Sequence, residues 1–167
     1  MAVLAIRIVP DPVLRQKAKR VRIADASIQR LIDDMVETMR EAHGVGLAAP
    51  QVAKPVRLIV IETSKDGLIT LINPEVVKSL GERGVVEGCL SVPGYQGEIQ
   101  RAVSIVVKGR DRKGKEVRIK AEDLLAQALE HEIDHLNGVL YVDYIKDRKK
   151  LKKVSDEDNR ETREGFI

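Results

Sequence analysis

The sequence predicts a single domain that mixes helices and strands. Two stretches carry apolar residues at helical spacing, which is typical of amphipathic helices packed on a core. Between them lie short runs rich in Val, Ile and Leu, separated by turn residues, which indicate strands joined by hairpins. The chain has 167 residues, and this length suits one domain with a sizeable core. These three observations favour a compact protein of both α and β structure.

Two helices follow from the periodicity. The first is predicted from Ser27 to about Ala42, with Asp25 or Ser27 as its N-cap and Gly44 as its stop. The second is predicted from about Glu122 to Leu136. Both helices bury one face, so the strands between them should supply the other side of the core.

The strands are predicted from β-branched runs and from the turns that separate them. The turn Lys65-Asp66-Gly67 and the turn at residues 111–114 each join two such runs. The first nine residues are expected to form a strand or an extended segment. The predicted strands are Arg57 to Glu62, Leu68 to Ile72, Glu75 to Leu80, Ala102 to Arg110 and Glu116 to Lys120.

Composition narrows the class of protein. Hydrophobic residues make up 43% and charged residues 33% of the chain, and the formal net charge is +3. No apolar run approaches the roughly 20 residues of a membrane span, and the N-terminus lacks the pattern of a signal peptide. We therefore expect a cytoplasmic protein without a membrane partner. Cys89 is the single cysteine, which excludes an internal disulfide.

The run His131-Glu132-Ile133-Asp134-His135 is the most informative motif. Residues at i and i+4 share a helix face, so both imidazoles can bind one divalent cation. Glu132 lies beside the first ligand and could act as general base on a water held by the metal. A solvated surface helix is the alternative. Two imidazoles on or beside an apolar stripe favour a metal site, because unpaired polar groups there would be costly.

Two other segments carry candidate functional groups. The run Gly44–Gln51 is rich in small residues and allows close backbone approach to a ligand, although an ordinary loop would look similar. Its glycine spacing does not match a phosphate loop. In the run Glu87–Ser91, Cys89 is either a small buried hydrophobe or a thiolate ligand.

These three segments, Gly44–Gln51, Glu87–Ser91 and His131–His135, resemble in this order the three motifs of the peptide deformylases. With their spacing, the resemblance extends from roughly Ile6 to Tyr144. It implies an α+β fold in which antiparallel β-sheets surround a central helix that carries the two histidines.

The resemblance also implies roles for individual residues. The metal ligands would be Cys89, His131 and His135, and Glu132 would be the general base and acid. Gln51 and the backbone N–H of Leu90 would stabilise an oxyanion. A pocket would receive the methionine side chain of the substrate. The residues that line or bound it would be Val45, Gly46, Glu87, Gly88, Leu124 and Ala128. Behind the site, Arg101 would hold the acidic neighbours Glu87 or Asp134.

The implied activity is removal of the N-formyl group from the formyl-methionine of nascent polypeptides, with release of formate. The resemblance favours Fe²⁺ as the cofactor, replaceable by Ni²⁺ or Co²⁺, whereas affinity alone would favour Zn²⁺. Two alternatives remain. An HExxH metallopeptidase generally takes a third His or Glu downstream, and no histidine follows His135. A non-catalytic metal-binding module would usually present four protein ligands, and three are evident.

The charged C-terminus suggests a division of the chain. Residues 1–145 would form the catalytic domain and residues 146–167 a charged extension of it. We expect either a solvated, partly frayed helix or a surface that docks on RNA such as the ribosome, without sequence-specific recognition of nucleic acid. The basic residues of this extension are Lys146, Arg148, Lys149, Lys150, Lys152 and Lys153.

Overall fold

The structure is a computed structural model that describes residues 1–155 and residue 167. The two α-helices in this part of the chain are α1 (Ala26–Glu41) and α2 (Asp123–Leu136). Short 3-10 helices lie at Pro12–Arg15, Ala49–Val52, Tyr141–Tyr144 and Arg148–Lys150. The strands are β1 (Gly46–Ala48), β2 (Leu58–Thr63), β3 (Gly67–Leu80), β4 (Arg83–Cys89), β5 (Val92–Arg101), β6 (Ser104–Arg110), β7 (Glu116–Glu122) and β8 (Lys152–Lys153).

The strands form two antiparallel sheets. The larger has the order β1-β2-β3-β6-β7, and the smaller has the order β4-β5-β8. Helix α2 packs on the larger sheet, where Leu125, Leu129 and Ile133 share one hydrophobic cluster with Ile59 and Ile105. The arrangement is the antiparallel α+β fold expected from the sequence.

Helix α1 covers another part of the large sheet. The Asp25 carboxylate accepts a hydrogen bond from the backbone N–H of Ile28 at 3.0 Å, so Asp25 is the N-cap. Met35 and Met39 are fully buried in a second cluster with Leu58 of β2. The predicted cap and apolar face of α1 are thus confirmed.

The structure differs from the sequence prediction in three places. The runs predicted as separate strands, residues 68–72 and 75–80, belong to one strand, β3, with a register shift between Ile72 and Glu75. Strands β4 and β5 were not predicted. Glycine and proline in β5 are typical of loops, and apolar and polar residues alternate only weakly along both strands. The first eight residues are extended but unassigned to a strand, although Arg7 N–H donates to Gln51 O at 2.7 Å.

The charged C-terminal stretch is only partly helical. Residues 148–150 form the short 3-10 helix, and β8 pairs with β5 through Tyr95↔Lys153 and Gln96↔Lys152. The partly frayed helix expected as one alternative for this stretch is therefore limited to one short turn. Residues 156–166, which include the acidic run from Asp156, lie outside the described residues. In the part of the chain that is described, none of the helices combines the length and apolarity needed to cross a membrane.

Candidate metal centre and active site

Three nitrogen and sulfur donors meet at one point of the core. Helix α2 carries His131 and His135 one turn apart, and Cys89 ends β4 of the smaller sheet. The two Nε2 atoms are 3.2 Å apart, and Cys89 Sγ lies 3.3 Å from His135 Nε2. All three side chains are buried, and their ligand atoms lie within 4.8 Å of one another. Residues far apart in the sequence therefore form one cluster where side chains of α2 meet the end of β4.

The cluster fits a divalent cation. A tetrahedral ion bound by imidazole nitrogen and thiolate at about 2.0–2.3 Å separates neighbouring donors by roughly 3.3–3.6 Å, close to the two distances observed here. A site of three protein ligands leaves one position open, which is characteristic of catalytic rather than structural zinc-type sites. The donor set of one thiolate and two imidazoles suits Fe²⁺, Zn²⁺, Ni²⁺ and Co²⁺ alike.

Glu132 lies next to the first histidine and is completely buried. Among the described residues, neither of its carboxylate oxygens has a hydrogen-bond partner. Burial raises the pKa of Glu132 to about 7. A Cβ atom added to Gly46 would lie 2.6 Å from Glu132 Oε1, so only glycine at this position leaves room for the carboxylate. Strand β1 and helix α2 thus approach each other closely at the candidate general base.

A buried charged network lies behind His131. Glu87 Oε1 lies 2.6 Å from His131 Nδ1, and Arg101 donates to both Glu87 oxygens at 2.7 and 2.8 Å. The same guanidinium donates to Asp134 Oδ2 at 2.8 Å. Arg101 therefore holds both of the acidic neighbours named as alternatives from the sequence. The contact to Nδ1 fixes the orientation of the His131 ring, so that Nε2 faces Cys89 and His135.

The network also sets the protonation of its members. Burial alone would raise the pKa of Glu87, but hydrogen bonds from Arg101 and His131 outweigh it and hold the pKa at about 2. Burial opposes the charge on Arg101, yet the contact with Glu87 raises its pKa above the usual value. Burial lowers the pKa of His135 well below its ordinary value. His135 is thus held in the neutral form that binds metals.

Gln51 places a hydrogen-bond donor beside Cys89 of the donor cluster. Its Oε1 accepts a hydrogen bond from the Ala48 N–H at 2.9 Å, which orients the amide and leaves the NH₂ group on the other side. That NH₂ donates to Ser91 Oγ at 3.0 Å and lies 3.8 Å from Cys89 Sγ. Leu90 occupies the turn between β4 and β5, directly after Cys89. The two candidate oxyanion donors therefore flank the cysteine.

Three of the six residues expected at the methionine pocket share one hydrophobic cluster. Val45 and Ala128 are buried members of it, and Leu124 is half-buried against it. Gly46 lies beside Glu132 in β1, and Gly88 is buried between Glu87 and Cys89. The Glu87 carboxylate instead contacts Arg101 and His131.

Sequence reasoning did not predict the contacts that several residues make in this region. Ser91 is fully buried and accepts from Gln51, and Tyr144 donates to Asp134 Oδ2 at 2.9 Å. Gln127 donates to Glu87 Oε2 at 3.4 Å. Ile167 is 1% exposed and belongs to the cluster that contains Val45 and Ala128. No periodicity marked these positions, because each depends on contacts between distant segments.

The comparisons with known proteins agree on one family. The family model described as polypeptide deformylase matches residues 3–151. The peptide deformylase of Dehalococcoides mccartyi strain CBDB1 is 52% identical over 159 residues, which are 95% of each chain. The peptide deformylase of Halothermothrix orenii is 56% identical over 146 residues, which cover 87% of this chain and 95% of the relative.

Solved structures extend the agreement to the fold. The crystal structure of a peptide deformylase from Legionella pneumophila matches with a TM-score of 0.86 and 48% identity over 89% of each chain. The peptide deformylase from Synechococcus elongatus, solved in complex with actinonin, matches with a TM-score of 0.85 and 40% identity, over 88% of this chain and 81% of that chain. On the evidence of sequence, fold and donor cluster together, this chain belongs to the polypeptide deformylase family.

Proposed function

We propose that this protein is a metal-dependent hydrolase that removes the formyl group from N-formylmethionyl peptides and releases formate. The observation that carries the proposal is the buried cluster of Cys89, His131 and His135 with Glu132 beside it, in a chain of this family. The likeness to deformylases over most of the chain favours this activity over an HExxH metallopeptidase and over a non-catalytic metal-binding module.

Cys89, His131 and His135 would hold the metal ion. When bound, the ion supplies electrophilic chemistry, because it polarises a carbonyl oxygen and acidifies water. Family resemblance favours Fe²⁺ as that ion, and the donor set is equally suited to Zn²⁺. Glu87 would keep His131 oriented through its contact with Nδ1, and Arg101 would keep Glu87 in place.

The residues of the chain supply the proton transfers and the oxyanion contacts. Glu132 removes a proton from water as the water oxygen attacks the formyl carbon. Negative charge then develops on the former carbonyl oxygen, and the Gln51 NH₂ and the Leu90 backbone N–H donate hydrogen bonds to it. The C–N bond breaks as Glu132 returns the proton to the departing amine. The products are formate and a peptide with a free amino terminus.

The methionine side chain would occupy the apolar pocket beside this site. Val45, Ala128 and Leu124 supply an apolar surface, and Gly46 and Gly88 keep the backbone close to the substrate. We propose that the enzyme acts in the cytoplasm, where formylated chains leave the ribosome.

A direct assay tests the proposed activity. Purified protein is incubated anaerobically with formyl-Met-Ala-Ser, and formate, Met-Ala-Ser and bound metal are measured in the same sample. We expect formate and Met-Ala-Ser in equal amounts, and iron as the ion that gives the highest rate. Fragments of the tripeptide would instead indicate a peptidase, and absence of any product with metal bound would indicate a binding module.

The basic C-terminal stretch would support docking on ribosomal RNA. Lys149, Lys150, Lys152 and Lys153 are exposed and stand on the 3-10 helix and β8. Removing the chain after Tyr144 would also remove Leu151, which packs with Val85 and Ile99, so a charge variant is the cleaner test. Replacing the four lysines with glutamine should weaken cosedimentation with ribosomes and leave formate release unchanged. Unchanged cosedimentation would refute this docking surface.

A further inference from the structure

A groove of about 570 Å³ opens on the surface, and its lining shares no residue with the candidate active site. Four of its lining residues are cations and none is an acid. The residues that line it are Lys19, Arg20, Val21, Arg22, Asn73 and Arg110.

The backbone beneath these cations is held in place by hydrogen bonds to the larger sheet. The Lys19 N–H donates to Pro55 O at 2.8 Å, and the Arg57 N–H donates to Lys19 O at 2.8 Å. The Asn73 amide binds the Val21 backbone twice, at 2.8 and 2.7 Å. Asn73 has a φ of 52° and lies where the β3–β6 register shifts. The backbone that carries these cations is therefore held in place. The groove lies where the register between β3 and β6 is irregular.

Within the described part of the chain, no carboxylate forms an ion pair with the cations of this groove. Among the ion pairs of residues 1–155, none joins Lys19, Arg20, Arg22 or Arg110 to a carboxylate. The neighbouring Arg57 has a pKa below its usual value because of burial and the positive charge of Arg20, while Glu75 opposes this effect. Some other surface arginines are paired, as Arg112 is with Asp33 at 3.0 Å. Unpaired cations held together repel each other, and an anionic ligand would relieve that repulsion.

We propose that this groove binds the sugar-phosphate backbone of an RNA strand without reading its sequence. Guanidinium groups match phosphate oxygens in bidentate geometry, and three of the four cations are arginines. The lining offers no aromatic ring for stacking a base, and the Asn73 amide is already bound to Val21. Phosphate contacts fix position on a nucleic acid but carry no sequence information.

The same lining disfavours two other anions. A protein partner with an acidic segment would need an apolar anchor, and Val21, the only apolar lining residue, is 7% exposed. A free mononucleotide would need contacts to its base, which the lining does not provide. RNA binding by this groove is a function separate from the proposed hydrolysis, because the groove residues contact none of the candidate catalytic groups. The groove is also separate from the basic C-terminal stretch.

The test compares two variants of equal net charge. In the groove variant Lys19, Arg20, Arg22 and Arg110 are replaced by glutamine. In the control variant four exposed lysines elsewhere are replaced by glutamine, namely Lys65, Lys78, Lys113 and Lys115. Binding of a fluorescent single-stranded 20-nucleotide RNA is measured by anisotropy between 25 and 200 mM salt.

We expect the groove variant to bind RNA at least about tenfold more weakly at low salt than the control variant. Each phosphate that the protein no longer neutralises reduces the steepness of log K against log salt by about 0.7 for single strands, so the slope should become shallower by up to about 3. Formate release from formyl-Met-Ala-Ser and the thermal midpoint should match the wild-type protein in both variants. Equal affinities and slopes for the two variants would overturn the proposal.

Competition experiments decide between the anions. Unlabelled RNA should displace the probe, whereas AMP at millimolar concentration and polyglutamate at equal charge should not. If polyglutamate binds with the same affinity as RNA and loses it in the same variant, the groove is a site for acidic protein segments and the RNA assignment is wrong.

Discussion

At the scale of single residues, the candidate site depends on polar side chains that are oriented by other polar groups. Gln51 illustrates this, because the Ala48 N–H binds its Oε1 and thereby turns its NH₂ group towards Ser91 and Cys89. Glu87 illustrates it too, since one carboxylate contacts both His131 and Arg101. Gln51 and Glu87 therefore have defined directions before substrate arrives, which is the condition for electrostatic stabilisation without reorganisation.

Replacing Gln51 with glutamate tests its role as a donor. Glutamate can still accept the hydrogen bond from Ala48, but it removes the NH₂ group that would stabilise the oxyanion. We expect kcat for formyl-Met-Ala-Ser to fall by about 10²–10³, with bound metal unchanged. The matched control is Gln29→Glu on α1, where the amide contacts Ala24 and Arg112. A Gln51 variant with wild-type kcat would exclude this residue as an oxyanion donor.

Arg101 should matter most for stability. Its ion pair with Glu87 is buried, with side chains 4% and 0% exposed. Arg101→Met would leave that carboxylate buried without its counterion, at an expected loss of about 3–5 kcal/mol in the free energy of unfolding. Urea unfolding measures the change. Arg112→Met removes a half-exposed pair with Asp33 and should cost about 0–1 kcal/mol; similar losses for both variants would contradict the assigned importance of burial.

At the scale of elements, the site is assembled where α2, β1 and the turn after β4 meet. Helix α2 carries the two candidate ligand histidines and the candidate base, the end of β4 carries Cys89, and β1 passes beside the Glu132 carboxylate. The proximity of these elements is produced by the packing of α2 on the larger sheet. A small residue in β1 is therefore as important for the geometry as the ligands themselves.

Gly46→Ala tests this close approach. The added Cβ would lie 2.6 Å from Glu132 Oε1 and 3.0 Å from Glu132 Cγ, so either the carboxylate or β1 must move. A displacement of this size should lower kcat by roughly 10²-fold. The control is Gly84→Ala, whose Cβ meets only the Glu98 side chain within 3.5 Å, in an exposed part of β4. Normal activity of Gly46→Ala would show that Glu132 does not need its present position.

The elements differ in how well the sequence predicts them. Helices α1 and α2 could be predicted because apolar periodicity and the Asp25 cap are local signals. Strands β4 and β5 could not, because Pro93 and Gly97 interrupt the pattern and pairing across the sheet determines the structure. The ligand histidines followed from helical spacing. The residues alone left Cys89 as either a buried hydrophobe or a thiolate ligand, because its distance to His135 depends on tertiary packing, and the family resemblance implied the ligand.

At the scale of the whole molecule, charge is distributed over three regions with separate tasks. The buried network around Arg101 contacts the candidate metal ligand His131, whereas the groove at Lys19 and Arg110 and the basic stretch at residues 146–153 face outward. No residue is shared among these regions, so their variants should act independently on stability, RNA binding and catalysis. The central claim concerns the first region together with its metal, namely that Glu132 carries out the proton transfers.

The rate of formate release by Glu132→Gln, measured with the metal content of the same sample, tests this claim most directly. Glutamine keeps the size of the side chain and cannot accept a proton, so we expect the rate to fall by about 10²–10⁴ while one metal ion per chain remains bound by Cys89, His131 and His135. Glu130→Gln, in the same helix and half-buried, keeps an acceptor for the Ala102 N–H and should leave the rate unchanged. Full activity of metal-loaded Glu132→Gln towards formyl-Met-Ala-Ser would contradict the account.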